Sequence, residues 1–151
     1  MPGEAILEAD MAERCQREVV ELHAFFVDWF SATLPPTEQA FSRCESVLAA
    51  GFAMISPRGV VSERRDLLRE LRDGHGGQAA SGVDFRIDIR NFVCRSTASS
   101  HAVATYEEWQ QAAGATMARL STVVFCQRPE AANGLEWLHV HETWLAGFEG
   151  R

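Results

Sequence analysis

Lysine is absent from this sequence: all 14 basic residues are arginine. That excludes a Schiff-base amine and a phosphate-cradling P-loop lysine, and with them several large enzyme classes. Basic runs are missing too. Twenty-one acidic residues set a formal charge of -7, so phosphate neutralisation supplies little binding energy and nucleic acid is not an expected partner. No apolar stretch approaches the roughly 18 uninterrupted residues of a membrane span, which argues against a membrane partner. Met1-Pro2-Gly3-Glu4 carries acid where a secretory signal carries base, so a cytoplasmic location is expected. The four cysteines (Cys15, Cys44, Cys94 and Cys126) form no C-x-x-C pair, and they read as reduced, mostly buried thiols.

What is present is a globular composition. With 151 residues, 46% hydrophobic and 9% aromatic, the chain is sized for a single domain spanning 1–151 with one core. From Leu7 the apolar residues Met11, Cys15, Val19, Leu22, Phe26 and Trp29 recur in steps of three and four, the stripe of a long helix that Pro35-Pro36 would stop. Thr37 can cap a short helix running through Ala49, and Phe52 to Ser56 reads as a short strand. After the Pro57-Arg58-Gly59 turn, Ser62 caps a helix carrying Leu67, Leu68 and Leu71.

The second half changes period. Val83, Phe85, Ile87 and Ile89 alternate with Asp84, Arg86, Asp88 and Arg90, the two-residue repeat of a strand with one dry face. Strands over His101 to Gln111, Ala115 to Arg128 and Leu135 to Leu145 follow, joined by turns at Gly114 and Asn133-Gly134. Helices first and an antiparallel sheet afterwards give an α+β domain with the sheet covered on one face.

This order of elements resembles the cystatin-like α+β cone of nuclear transport factor two, ketosteroid isomerase and the SnoaL-like polyketide cyclases. Within it, Phe52 to Gly59, Tyr106 to Gln110, Ser121 to Phe125 and Trp137 to Glu142 are similar to an uncharacterised branch of that superfamily. The last run also resembles the closing strand of the calcium/calmodulin-dependent kinase association domain. The resemblance implies a curved sheet around a pocket and a homodimer formed through the outer sheet face. Pocket arginines of the kinase domain match Glu107, Val123 and Glu142 here, so an acidic pocket replaces a basic one.

A two-residue turn at Asn133-Gly134 sets Phe125 opposite Glu142 and Val123 opposite Trp144. A turn centred on Gly114 sets Trp109 opposite Arg119 and Glu107 opposite Ser121. The inward face then carries Glu107, Trp109, Arg119, Ser121, Val123, Phe125, Val140, Glu142 and Trp144, with Trp29 contributed by the long helix, as the expected ligand pocket. Tyr106, Glu108, His139 and His141 fall on the outer face. His-x-His is a spacing used by some metal sites, but no third ligand accompanies it, and neither metal nor cofactor is expected. His23 and His75 read as solvent or pocket-edge groups.

Three readings follow. Charged groups among tryptophans must pair, protonate or meet a ligand. A small-molecule-binding protein is the leading reading, with an unidentified ligand that is cationic or hydroxyl-donating. The second is an isomerase-, dehydratase- or cyclase-type enzyme in which Glu107 or Glu142 is the catalytic base, with Arg119 or His23 as electrostatic partner. In the third, an oligomerisation module with no ligand, Glu107, Arg119 and Glu142 form a buried ion cluster that only fixes strand register. The helix tyrosine of the isomerases is absent, with Asp28 and Trp29 in that region.

Overall fold

The computed structural model describes residues 2–79 and 84–150. Val83, expected at the start of the first long strand, lies outside the described residues. Helix α1 spans Pro2–Phe30, α2 Glu38–Glu45 and α3 Arg64–Asp73. Strands are β1 Leu48–Ile55, β2 Val61–Glu63, β3 Arg86–Thr97, β4 His101–Ala112, β5 Ala115–Gln127 and β6 Leu135–Trp144.

The apolar stripe of α1 faces the core: Met11, Cys15, Val19, Leu22 and Trp29 are all under 7% exposed, as is Phe25 beside them, while Phe26 is half-buried and lines the cavity described below. The helix stops before the prolines. Ala32 takes a positive φ of 59°, and the Thr33 and Leu34 amides both donate to the Asp28 carbonyl, which closes the last turn. Thr37 caps α2 as expected, its hydroxyl accepting from the Ala40 amide at 3.2 Å. That helix ends at Glu45 rather than Ala49, because the Trp137 amide takes the Val47 carbonyl at 2.7 Å and draws the chain into the sheet. Ser62 lies in β2 and caps nothing; Glu63 occupies the N-cap of α3 without a side-chain bond.

Six strands form one curved, unclosed sheet in the order β2-β1-β6-β5-β4-β3, with β1 parallel to β6 and the other neighbours antiparallel. The helices cover its inner face, α1 lying across β3, β4 and β6. Glu18 of α1 is fully buried where α1, α2 and the start of β6 meet. It accepts from Arg43 at 2.7 and 3.2 Å, Asn133 at 3.0 Å and Trp137 Nε1 at 2.9 Å. This carboxylate fixes where β6 begins. No described helix is long and apolar enough to cross a membrane.

Candidate functional site

The phase of β4 decides which side chains enter the space under the helices. Ala112 pairs with Ala115 across a two-residue turn whose residues, Ala113 and Gly114, both have positive φ (51° and 76°). The turn centre therefore sits between these two residues and not on Gly114. Half a residue at the turn becomes a full residue in register, and a full residue exchanges the faces. Tyr106 pairs with Ser121 and Glu108 with Arg119, so Tyr106 and Glu108 point inward, at 2% and 6% exposure.

Glu107 and Trp109 consequently lie on the outer face, correcting the expected facing of both. Glu107 accepts from Asn91 at 2.7 Å and from Trp109 Nε1 at 2.9 Å, and these two bonds hold its carboxyl below the usual range. Trp109 is covered by Arg90, 4.4 Å above the ring, and by Phe148, 4.6 Å between centroids. Neither residue reaches the cavity.

On β6 the expected facing of Val140 and Glu142 holds although their partners differ. Ser121 pairs with Glu142 and Val123 with Val140, a shift of an even number of residues that preserves the face. The register then slips between Val124 and Phe125, so Phe125 pairs with Trp137, and Trp137 enters the core. Asn133 and Gly134 belong to a 3-10 turn over Ala132–Gly134 rather than a two-residue hairpin.

A cavity of about 470 Å³ lies between sheet and helices. One part of its wall is apolar, built from Phe26, Phe30, Phe52, Leu67, Leu71 and Phe85. The other is polar: His23, Tyr106, Glu108, Gln110, Arg119 and Glu142. Arg119 is the one arginine among the described lining residues.

His23 is buried, contrary to its expected place at the pocket edge. Its Nδ1 lies 2.7 Å from the Val19 carbonyl, one turn earlier on α1, and its Nε2 lies 2.7 Å from Glu108 Oε1. Both neighbours are acceptors, so both ring nitrogens donate and the imidazole is cationic. Burial opposes that charge, but the Glu108 carboxylate outweighs it and raises His23 above its ordinary value. Burial likewise opposes ionisation of Glu108, yet His23, Arg119 and the Gln110 amide hold its carboxyl well below normal. Phe26, Tyr106 and Trp137 pack round the imidazole at 5.5 to 6.5 Å between centroids.

Arg119 stands on β5 between the two glutamates. It is the cross-strand neighbour of Glu108, and its Nη1 donates to Glu142 Oε1 at 3.1 Å, with Trp144 5.3 Å beneath the guanidinium. Ser121 Oγ donates to Glu142 Oε2 at 3.3 Å and shares a hydrogen bond with the Tyr106 hydroxyl. Burial and the Glu108 charge push Glu142 above the usual carboxylate range, against the pull of Arg119. Burial and both glutamates also raise Tyr106 well above its ordinary value, so it stays a neutral phenol.

Of the remaining expected pocket residues, Val140 lies at the cavity surface and the others sit around this cluster. Trp29 wedges between Phe25 and Phe41, and its indole donates to the Leu71 carbonyl at 2.7 Å, tying α1 to α3. Ser121, Val123 and Phe125 are fully buried below the cavity floor. Val140 and Glu142 line the cavity, and Trp144 backs Arg119 at its rim. His139 and His141 project from β6 with ring centroids 6.5 Å apart, and neither lines the cavity. Cys15 and Cys44 are buried thiols pushed up to about 12 by burial, which makes them poor nucleophiles.

The fold places the chain in the nuclear-transport-factor-two-like class. An NTF2-like protein of unknown function from Pseudomonas aeruginosa superposes with a TM-score of 0.77 at 27% identity, over 88% of this chain and 99% of that one. A CaMKII hub from S. rosetta shares the fold at 14% identity, with a TM-score of 0.60 over 85% of this chain and 95% of the hub. Within the class, the chain belongs to the sucrose-6-phosphate phosphohydrolase C-terminal family, whose pattern matches residues 15–146. Sucrose-phosphatase 1 of Nicotiana tabacum is 27% identical over 131 residues, 86% of this chain, and the chain spans 30% of that protein's length.

Proposed function

We propose that this domain binds a small molecule in the cavity between sheet and helices. The observation that carries the reading is the coexistence of an open cavity of about 470 Å³ with a buried charged cluster on its wall. A purely structural ion cluster would be sealed by side chains; here the lining residues of five strands and three helices stand apart from one another. The volume is that of ordinary ligand sites, and the mix of an apolar wall with a few convergent polar groups is their usual composition.

The test uses N-phenyl-1-naphthylamine, a neutral dye that brightens on leaving water. The wild-type chain should take up one molecule. Met54, beside Val140 on the floor, offers the control: Met54→Trp fills the cavity and should weaken dye binding at least tenfold while leaving the melting temperature within a few degrees. Equal binding by the variant, or none by the wild type, would refute the reading.

A catalytic role is the second reading, favoured by Glu142. A carboxyl raised by burial, bonded to Arg119 and joined through Ser121 to the phenol of Tyr106, is equipped to exchange a proton with a bound substrate. The phosphatase activity named for the tobacco relative belongs to a protein of which this chain matches 30%.

Self-association through the outer sheet face is part of the same proposal. Val93 and Leu120 stand 40% and 41% exposed there, and several proteins of the fold are named as hub or association domains. Light scattering should give a dimer for the parent chain and a monomer for Leu120→Glu; an unchanged mass would remove this face from consideration.

A further inference from the structure

The relatives' name directs attention to a sugar phosphate, and the cavity wall argues for a different chemistry. Every charge on the described wall already has a partner of opposite sign. His23 is committed to Glu108 and Val19, while Arg119 is committed to Glu142. Two cations and two carboxyl groups leave nothing over to neutralise an incoming anion, and a desolvated unpaired charge is costly. Rim charges do not change the count, since Arg119 is the sole arginine among the described lining residues. A disaccharide also needs hydrogen-bonding partners around its whole surface, whereas Phe26, Phe30, Phe52, Leu67, Leu71 and Phe85 supply none.

What the wall does suit is a molecule that satisfies both of its parts. Its body should be apolar enough to lie against the phenylalanines and leucines. Its end should carry an oxygen able to exchange hydrogen bonds with the polar cluster without adding net charge. Glu142 and Arg119 are the members of that cluster with capacity to spare: Glu142 Oε2 receives only the long 3.3 Å bond from Ser121, and Arg119 Nε is buried without an acceptor among the described residues. Glu108, by contrast, is held by His23 on one oxygen and by Gln110 on the other.

Resting on the cavity reading above, we propose that the ligand is an uncharged, largely apolar molecule with a hydroxyl or carbonyl oxygen at one end, placed at the Arg119–Glu142 pair, and that sugar phosphates are excluded.

Displacement of bound N-phenyl-1-naphthylamine separates the possibilities. The competitors are 2-naphthol, 2-naphthoate, 2-naphthylmethylammonium and sucrose 6-phosphate. Against the wild-type chain 2-naphthol should compete at least tenfold better than either charged naphthalene, and sucrose 6-phosphate at millimolar concentration should not compete. Glu142→Gln frees Arg119 from its partner, so 2-naphthoate should gain at least tenfold and overtake 2-naphthol. Equal or tighter competition by 2-naphthoate or sucrose 6-phosphate on the wild type would overturn the proposal, as would an unchanged preference in Glu142→Gln. Dye that fails to bind at all refutes instead the cavity reading on which the proposal stands.

Discussion

Glu18→Ala should melt about 6–12 °C below the parent chain, corresponding to a loss of about 3 kcal/mol. The carboxylate is fully buried and receives four hydrogen bonds from three side chains, so its removal leaves several donors without an acceptor. Their costs differ. Arg43 keeps a path to water and a second carboxylate, Glu21, at 3.6 Å, and Asn133 also donates to Glu21 at 3.1 Å. Trp137 Nε1 has neither, and an unpaired buried indole N–H costs roughly 1–3 kcal/mol. Glu18→Gln keeps one oxygen for that indole and should lose about half as much. Thermal and urea unfolding of the two variants measure this; a loss under about 1 kcal/mol for Glu18→Ala would show that the contacts are not anchoring β6. Because Trp137 and Glu142 share that strand, Glu18→Ala should also weaken dye binding in the cavity.

How far this arrangement was legible in the sequence depends on what kind of signal each residue gave. The stripe on α1 and the alternation of the later strands are periodic over many residues, and periodicity survives errors of boundary. The facing of β5 and of Val140 and Glu142 was legible for that reason, even with the wrong turn at Asn133-Gly134, since the error happened to be an even number of residues. β4 failed on a local ambiguity. Its turn is Ala113-Gly114, and an alanine at positive φ carries no signature comparable to Asn-Gly, so nothing in Ala112-Ala113-Gly114-Ala115 fixes the turn centre. The available clue lay along β4 itself: Ala102, Ala104 and Tyr106 alternate with Val103, Thr105 and Glu107, and the small alanines are the residues that fit beneath a crossing helix.

His23 was open to inference by a different route. It follows Val19 by four residues and precedes Phe26 by three, which puts it on the edge of the apolar stripe. A histidine there needs a buried partner, and the expected facing offered it Glu107 or Glu142 in place of Glu108. Once β4 turns over, the Glu108 carboxylate and the imidazole find one another 85 residues apart.

That pair makes the second large prediction, one of pH dependence. His23 is raised above the ordinary imidazole value of 6.5, so its stabilising contribution is complete below 6.5 and is lost as pH climbs through the raised value. Glu108 is depressed below the ordinary carboxyl value of 4.5, so its contribution is complete above 4.5 and is lost as pH descends through the lowered value. The pair therefore stabilises most between about pH 4.5 and 6.5 and weakens on either side. Subtracting the melting temperature of the His23→Leu/Glu108→Leu double variant from that of the parent, across pH 3 to 10, isolates this dependence, because leucines do not titrate. The difference should form a plateau in that window and fall toward both extremes. At pH 6 the single variant His23→Leu should lose about 3–5 kcal/mol, because it leaves Glu108 buried without its main counter-charge, and the double variant should lose distinctly less. A flat difference curve, or a single variant no worse than the double, would mean that His23 and Glu108 do not share a buried charge in the folded chain. The cavity's polar wall would then lack the fixed, neutralised half on which its preference for an uncharged ligand depends.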